Sequence, residues 1–202
     1  MHEPSPWGDN RAVRIGLLGG SFNPAHGGHR HVAETALKRL RLDQVWLLVS
    51  PQNPLKPVAD MAPQAQRLDW ANRVLAGHPR LIATGLEARL GTTYSAHTLD
   101  KLRRRFPKAR FVWLMGADNL AQMSRWRQWK RIFALVPIAI LARSPYSRKA
   151  LAAPAARFMA AYRQKATKAY GLAAHQPPAW VFLHTRLHPA SATALRAAHL
   201  KE

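Results

Sequence analysis

The chain has 202 residues, 48% of them hydrophobic, with 31 Lys+Arg against 10 Asp+Glu and a formal charge of +21. That length and apolar content suit one large core and exclude whole-chain disorder, and the lack of cysteine excludes disulfides and thiolate metal sites. No apolar run is long enough to span a membrane, and the opening MHEPSPWGDNRAVR lacks the apolar stretch of a secretory signal, so a cytoplasmic location is expected. The basic excess draws polyanions: nucleic acid, acidic lipid or phosphorylated small molecules. The carboxylates are dispersed, and no paired-carboxylate acid/base device is visible.

In chain order, residues 1–11 read as a flexible arm. AVRIGLL, closed by Gly19-Gly20, reads as a buried strand. A helix is expected from Gly28 to Arg41, where Val32, Ala33, Ala36, Leu37 and Leu40 share one face. QVWLLVS is a second strand, the proline-rich PQNPLKPVADMAP a loop, QAQRLDWANRVLAG an amphipathic helix and RLIATGLE a third strand. GTTYSAHTLDKLRRRF reads as a loop and then a helix capped near Thr93 or Ser95. RFVWLMG is a strand, ADNLAQM and QWKRIFALV are short helices, and PIAILAR is a strand. Residues 146–170 are alanine-rich and expected helical. AWVFLHT is a sixth strand and SATALRAAHL a closing helix. Alternating strands and helices predict an α/β fold: a Rossmann-like, doubly wound parallel sheet of five or six strands with helices on both faces. Such sheets bind ligands beyond the carboxyl ends of their strands, where strand order reverses.

GLLGGSFNPAHGGHRHVAETAL, residues 16–37, sits at the exit of the first strand. It matches neither the dinucleotide fingerprint nor a P-loop. Its ingredients still suit phosphate: glycines that let backbone N–H groups come close, a helix N-terminus, and two histidines able to donate. A zinc pair lacks a visible third ligand.

GGSFNPAHGGH resembles the signature of the adenylyl- and cytidylyltransferases that carry an H-x-G-H element, here His26-Gly27-Gly28-His29. SATALR resembles the S-x-T-x-x-R element of that superfamily. GTTYSAHTL, GADNL and the RW of SRWRQW resemble segments of the bacterial nicotinate-nucleotide adenylyltransferases. The likeness runs from about Arg14 to Arg196 and implies a single nucleotidyltransferase domain over residues 12–202. The implied reaction joins ATP and nicotinate mononucleotide into nicotinate adenine dinucleotide with release of pyrophosphate, with Mg²⁺ carried on the ATP phosphates and no protein metal site.

Carried over position by position, the resemblance assigns His26, His29 and Arg196 to catalysis. It puts ATP against Gly20, Ser21, His26, His29, Asp118, Ser191, Thr193 and Arg196. It puts nicotinate mononucleotide against Asn53, Lys56, Ser95 and Trp126, the last by stacking on the pyridine ring. Taken singly, each has a plainer reading. The histidines are a helix-start pair, Ser191 and Asp118 are N-caps, Arg196 and Lys56 are surface charges, and Trp126 and Trp129 are packing. Their order and their placement at strand ends and helix starts favour the functional reading. The chain departs from the pattern at Ala190 and Leu195, where bulkier or branched residues are usual, and at Leu55, where a histidine commonly precedes the basic residue.

Two other acceptors, nicotinamide mononucleotide and pantetheine phosphate, are the nearest alternatives. A basic nucleic-acid-binding module is the alternative of another class. The partners expected are therefore ATP and nicotinate mononucleotide, with no membrane partner, nucleic acid disfavoured and a homo-oligomer allowed.

Overall fold

Four of the apolar runs are nearly continuous, as strands buried on both faces require. In the computed structural model, which describes residues 3–52, 61–142 and 147–185, they form the middle of one parallel sheet. The elements are β1 (Arg14–Gly20), α1 (Gly27–Arg39), β2 (Gln44–Val49), α2 (Gln64–Leu75), β3 (Leu81–Thr84), α3 (Leu86–Arg89) and α4 (Ser95–Arg105). There follow β4 (Arg110–Gly116), α5 (Ala117–Gln122), α6 (Trp129–Leu135), β5 (Ile138–Ala142), α7 (Ser147–Leu151), α8 (Pro154–Phe158), β6 (Arg163–Gln164) and β7 (Trp180–His184). The strand order is β3-β2-β1-β4-β5-β7-β6, and every pairing is parallel. Chain order reverses between β1 and β4, which makes their carboxyl ends the switch point.

Side-chain alternation along each strand feeds two cores. Ile15, Leu17, Trp46, Leu48, Trp113 and Met115 face one side with Leu99 and Leu102 of α4. Leu18, Val45, Leu47, Val112 and Leu114 face the other with Val32, Ala36 and Leu37 of α1 and Ala71 and Leu75 of α2. Trp46, Trp113 and Trp180 are among the largest fully buried side chains. They are core, not an exposed stacking platform.

The sheet has seven strands rather than five or six, and the addition lies where continuous helix was expected. Between residues 147 and 174 the chain makes α7, α8, two 3₁₀ segments (Ala160–Tyr162 and Ala166–Ala174) and the two-residue edge strand β6. Alanine supplies helix propensity there, but the buried positions are too few to hold one long helix, and packing against β7 overrides propensity. The helix α4 begins at Ser95 with Tyr94 as N-cap and no side-chain cap bond. Ser95 is therefore its first helical residue and not its cap. The expected closing helix SATALRAAHL lies outside the described residues.

The N-terminal segment touches the body of the fold. The Glu3 carboxylate accepts from Thr84 Oγ1 at 2.6 Å and from the Gly85 N–H at 3.2 Å, and it pairs with Arg89 at 2.9 Å. Arg89 also donates to the Pro4 carbonyl, and Arg105 to that of Pro6.

Candidate active site

The exit of β1 is shaped by packing before any ligand is considered. Gly16 leaves room for Leu42 and Leu114, and Gly19 for the Trp113 indole, whose rim lies 2.6 Å from where a Cβ on Gly19 would stand. These two glycines serve the core, and Gly20, the glycine matched to ATP, follows them. Phe22 then takes a left-handed backbone conformation, φ 49°, uncommon for a bulky residue. That turn buries its ring, 2% exposed, edge-on to the His29 imidazole at 4.9 Å between centroids. Strain of this kind concentrates at functional sites. Phe22 escaped the sequence reading, although it lies inside the signature.

The two histidines build the start of α1 between them. His26 is the N-cap, and its Nδ1 accepts from the Gly28 N–H at 3.1 Å. His29 returns the favour: its Nδ1 accepts from the His26 N–H at 3.2 Å. The rings lie 3.9 Å apart between centroids, and His26 is only 5% exposed. An Nδ1 that accepts carries no proton, so the proton of each neutral ring sits on Nε2. Each imidazole is thus fixed as an Nε2–H donor. A protonated Nε2 has no lone pair to give a metal, which argues against a zinc pair in this state. The plain helix-start reading is met by the Nδ1 edges of the two rings, and the functional reading concerns the opposite, Nε2 edges.

Across the switch point, Asp118 lies in the first turn of α5, just past the end of β4. It is not the N-cap, which is Gly116. Among the described carboxylates Asp118 is singular. Glu3, Asp9, Glu34, Asp43, Asp69 and Asp100 each pair with an arginine, and Glu87 is buried. Asp118 is exposed and has no ion pair with any described residue.

A second group gathers at α3 and α4. Ser95 opens α4 beside Tyr94, and the Arg127 guanidinium lies 4.8 Å over the Tyr94 ring. That contact brings the segment carrying Trp126 against the Tyr94–Ser95 turn. Trp126 is half-buried against the core, and its buried indole N–H has no acceptor among the described residues. Trp129 instead packs edge-on to Phe133 and Phe158, as the packing reading has it. Beneath the turn lies a polar cluster that the sequence did not reveal. Thr98 Oγ1 donates to Glu87 Oε1 at 2.9 Å and stands 2.9 Å from Thr92 Oγ1. Burial pushes the Glu87 carboxyl up to about 7, only partly opposed by the Thr98 bond.

The structure thus brings Gly20, Ser21, His26 and His29 together at the β1 exit, with Asp118 across the switch point, and it links the segments that carry Ser95 and Trp126 through Arg127 over the Tyr94 ring. Asn53, Lys56, Ser191, Thr193 and Arg196 lie outside the described residues. Among the described residues no group of three or more His, Asp or Glu could hold a metal ion, and no helix is long and apolar enough to cross a membrane.

Residues 17–198 match the cytidylyltransferase-like family model. A "Probable nicotinate-nucleotide adenylyltransferase" of Gluconacetobacter diazotrophicus is 52% identical over 202 residues, covering 100% of this chain and 94% of the relative. A protein of the same name from Cereibacter sphaeroides is 52% identical over 183 residues, 91% of this chain and 96% of its own. In structure, the chain resembles Plasmodium falciparum nicotinic acid mononucleotide adenylyltransferase complexed with NaAD, with a TM-score of 0.68 at 14% identity, covering 92% of this chain and 83% of that one.

Proposed function

The chain belongs to the nicotinate-nucleotide adenylyltransferases within the cytidylyltransferase-like family, and from that premise we propose how its own residues carry the reaction. It transfers the adenylyl group of ATP to nicotinate mononucleotide, giving nicotinate adenine dinucleotide and pyrophosphate for NAD biosynthesis. The 5′-phosphate oxygen of the mononucleotide attacks the α-phosphorus of ATP. A new P–O bond forms, the α–β anhydride bond breaks, and pyrophosphate leaves.

The nucleophile is already an anion at neutral pH, so no proton is abstracted and no base is required. The obstacle is charge. Two anions must meet, and negative charge then gathers on the leaving group. Positioning and electrostatic stabilisation meet that need. The observation that carries this reading is the reciprocal histidine cap, which fixes two Nε2–H donors at a helix start on the switch point. In our reading His26 and His29 hold the phosphates through the transition state, each such donor lowering the barrier by roughly 3–4 kcal/mol. Gly20 and Ser21 lie against the ATP phosphates, and Asp118 accepts from ribose hydroxyls. Trp126 stacks on the pyridine ring while Ser95 bonds near its carboxylate. Ser191, Thr193 and Arg196 grip the far phosphates, and Asn53 and Lys56 contact the mononucleotide. A divalent ion, Mg²⁺ in this proposal, arrives on ATP as part of the substrate. We place the enzyme in the cytoplasm as one domain over residues 12–202.

Pyrophosphate release from Mg-ATP with nicotinate mononucleotide, nicotinamide mononucleotide or phosphopantetheine tests the reading. A large preference for the first is expected. Equal or greater turnover with either of the others would overturn the choice of acceptor.

A further inference from the structure

Arg67 is the one arginine or lysine that is buried among the described residues, at 1% exposed. It heads the buried stripe Arg67, Ala71, Leu75 of α2. Its guanidinium donates to four main-chain carbonyls and to no described carboxylate. Nε reaches Ala62 at 2.8 Å, Nη1 reaches Ser21 at 2.7 Å and Ser50 at 2.8 Å, and Nη2 reaches Pro51 at 2.9 Å. Ser21 follows β1, while Ser50 and Pro51 follow β2. One planar fork therefore ties together the exits of two neighbouring strands. Lysine has no equivalent geometry, because its three donors leave from a single point.

Burying a charge without a counterion is unfavourable, and desolvation lowers the proton affinity of Arg67 below its ordinary value. A guanidinium nonetheless stays protonated, and the four carbonyls offset part of its lost hydration. A packing residue of similar volume would avoid the whole difficulty. What only the guanidinium does here is turn carbonyls inward. In a trans peptide the C=O and the N–H point opposite ways. The Ser21–Phe22 bond is trans, the cis bonds being Asn23–Pro24 and Pro177–Pro178. Drawing the Ser21 carbonyl onto Arg67 turns the Phe22 N–H to the other side, and no described acceptor takes it. The left-handed φ of Phe22 keeps that peptide oriented and leaves its ring against His29.

We propose that Arg67 is a positioning residue for adenylyl transfer: it withdraws the Ser21 carbonyl from the histidine cradle and presents the Phe22 N–H to the phosphate there. The proposal rests on the function above. Without the fork, that peptide is free to turn its carbonyl toward the phosphate, and a carbonyl dipole repels the charge gathering in the transition state. The loss then falls on kcat more than on KM.

The test compares full-length wild type, R67K and R67M, using pyrophosphate release with Mg-ATP and nicotinate mononucleotide beside thermal unfolding. Expected is a folded R67K with kcat down about tenfold or more and KM for ATP within about threefold, and R67M lower still. A folded R67K with wild-type kcat and only a lower melting temperature would make Arg67 a structural clamp and overturn the proposal. Should neither variant fold, wild-type amide spectroscopy decides. The Phe22 amide resonance is expected to move on titration with Mg-ATP. A Phe22 amide that stays put while amides at the start of α1 move overturns it. A wild type that releases no pyrophosphate with any acceptor, and in which Mg-ATP moves no amide, refutes the functional reading itself and takes this proposal with it.

Discussion

The exits of β1 and β2 bury Arg67 and the corner between β3 and α4 buries Glu87, each with no partner ion among the described residues, and the two places treat the charge oppositely. At the first, Arg67 spends its donors on four carbonyls and stays cationic. At the second, Glu87 is 4% exposed and receives one hydroxyl, from Thr98, and its carboxyl is pushed up to about 7. The difference is one of satisfaction. Four short bonds hold a delocalised cation in place, whereas a single hydroxyl does not hold a carboxylate charge. The fold therefore keeps positive charge at the exits of β1 and β2 and weakens negative charge beside the turn that opens α4.

The largest effect should separate the two regions by chemistry. His29→Ala at the β1 exit is expected to cut kcat at least about a hundredfold. Its stability loss should stay near that of a lost helix cap, about 1 kcal/mol. Thr98→Val in the other corner is expected to do the reverse, lowering the melting temperature with less than about a threefold change in kcat. Steady-state kinetics beside thermal unfolding reads both. Near-normal turnover in folded His29→Ala would remove the contrast.

Next in size is the pH response of Glu87. Its folded pKa lies above the unfolded value, so the folded state binds the proton more tightly than the unfolded one. Stability is therefore full below about pH 4.5 and falls as pH rises through about 7. The drop is on the order of 3 kcal/mol across that window. Glu87→Gln should flatten it and leave the variant more stable than wild type at pH 8. Urea unfolding at pH 5 and pH 8 measures both slopes. A wild-type stability that does not fall between those pH values would show that the corner holds its charge after all.

Smaller again is Asp118→Asn. It removes the one exposed, unpaired carboxylate among the described residues, so no ion pair is broken and the fold should be unaffected. On the proposed role of Asp118 as acceptor for the ribose hydroxyls, a neutral acceptor in its place should raise KM for ATP about tenfold, equivalent to roughly 1.4 kcal/mol. A raised kcat with unchanged KM would place Asp118 nearer the reacting phosphates than the ribose.

Much of this was legible from residue patterns, and what was not has physical causes. The six main strands follow from apolar runs bounded by turn residues, and the histidine pair from its place between a strand and a helical stripe. β6 was missed because two residues carry no periodicity. Arg67 could have been found. Spacing from Ala71 and Leu75 puts it on the buried stripe of α2, and an arginine there demands partners. Which partners it finds was beyond any pattern, since Ser21 and Ser50 reach it only through sheet pairing of β1 with β2. Glu87 gave no signal either, because its burial depends on α3 and α4 closing over it.

The smallest expected effect uses the opposite ends of the same two strands. At their amino ends, Asp43 accepts from Arg14 Nη2 at 2.6 Å and from the Arg14 N–H at 2.8 Å. The side chains remain 45% and 40% exposed, for arginine and aspartate respectively. The Arg14 bond holds the Asp43 carboxyl below the ordinary carboxylate range, so its linkage has the opposite sign to that of Glu87. Its contribution is present above the unfolded pKa and is lost as pH falls through the folded one. Because water screens so exposed a pair, Asp43→Asn should lower stability by less than about 1 kcal/mol at neutral pH. The difference from wild type should shrink further in high salt and vanish in acid. kcat should not change, since the pair lies a full strand length from the histidines. A measurable drop in kcat would mean that strain at the entry of β1 reaches its exit, and the two ends of the sheet could then no longer be treated as independent.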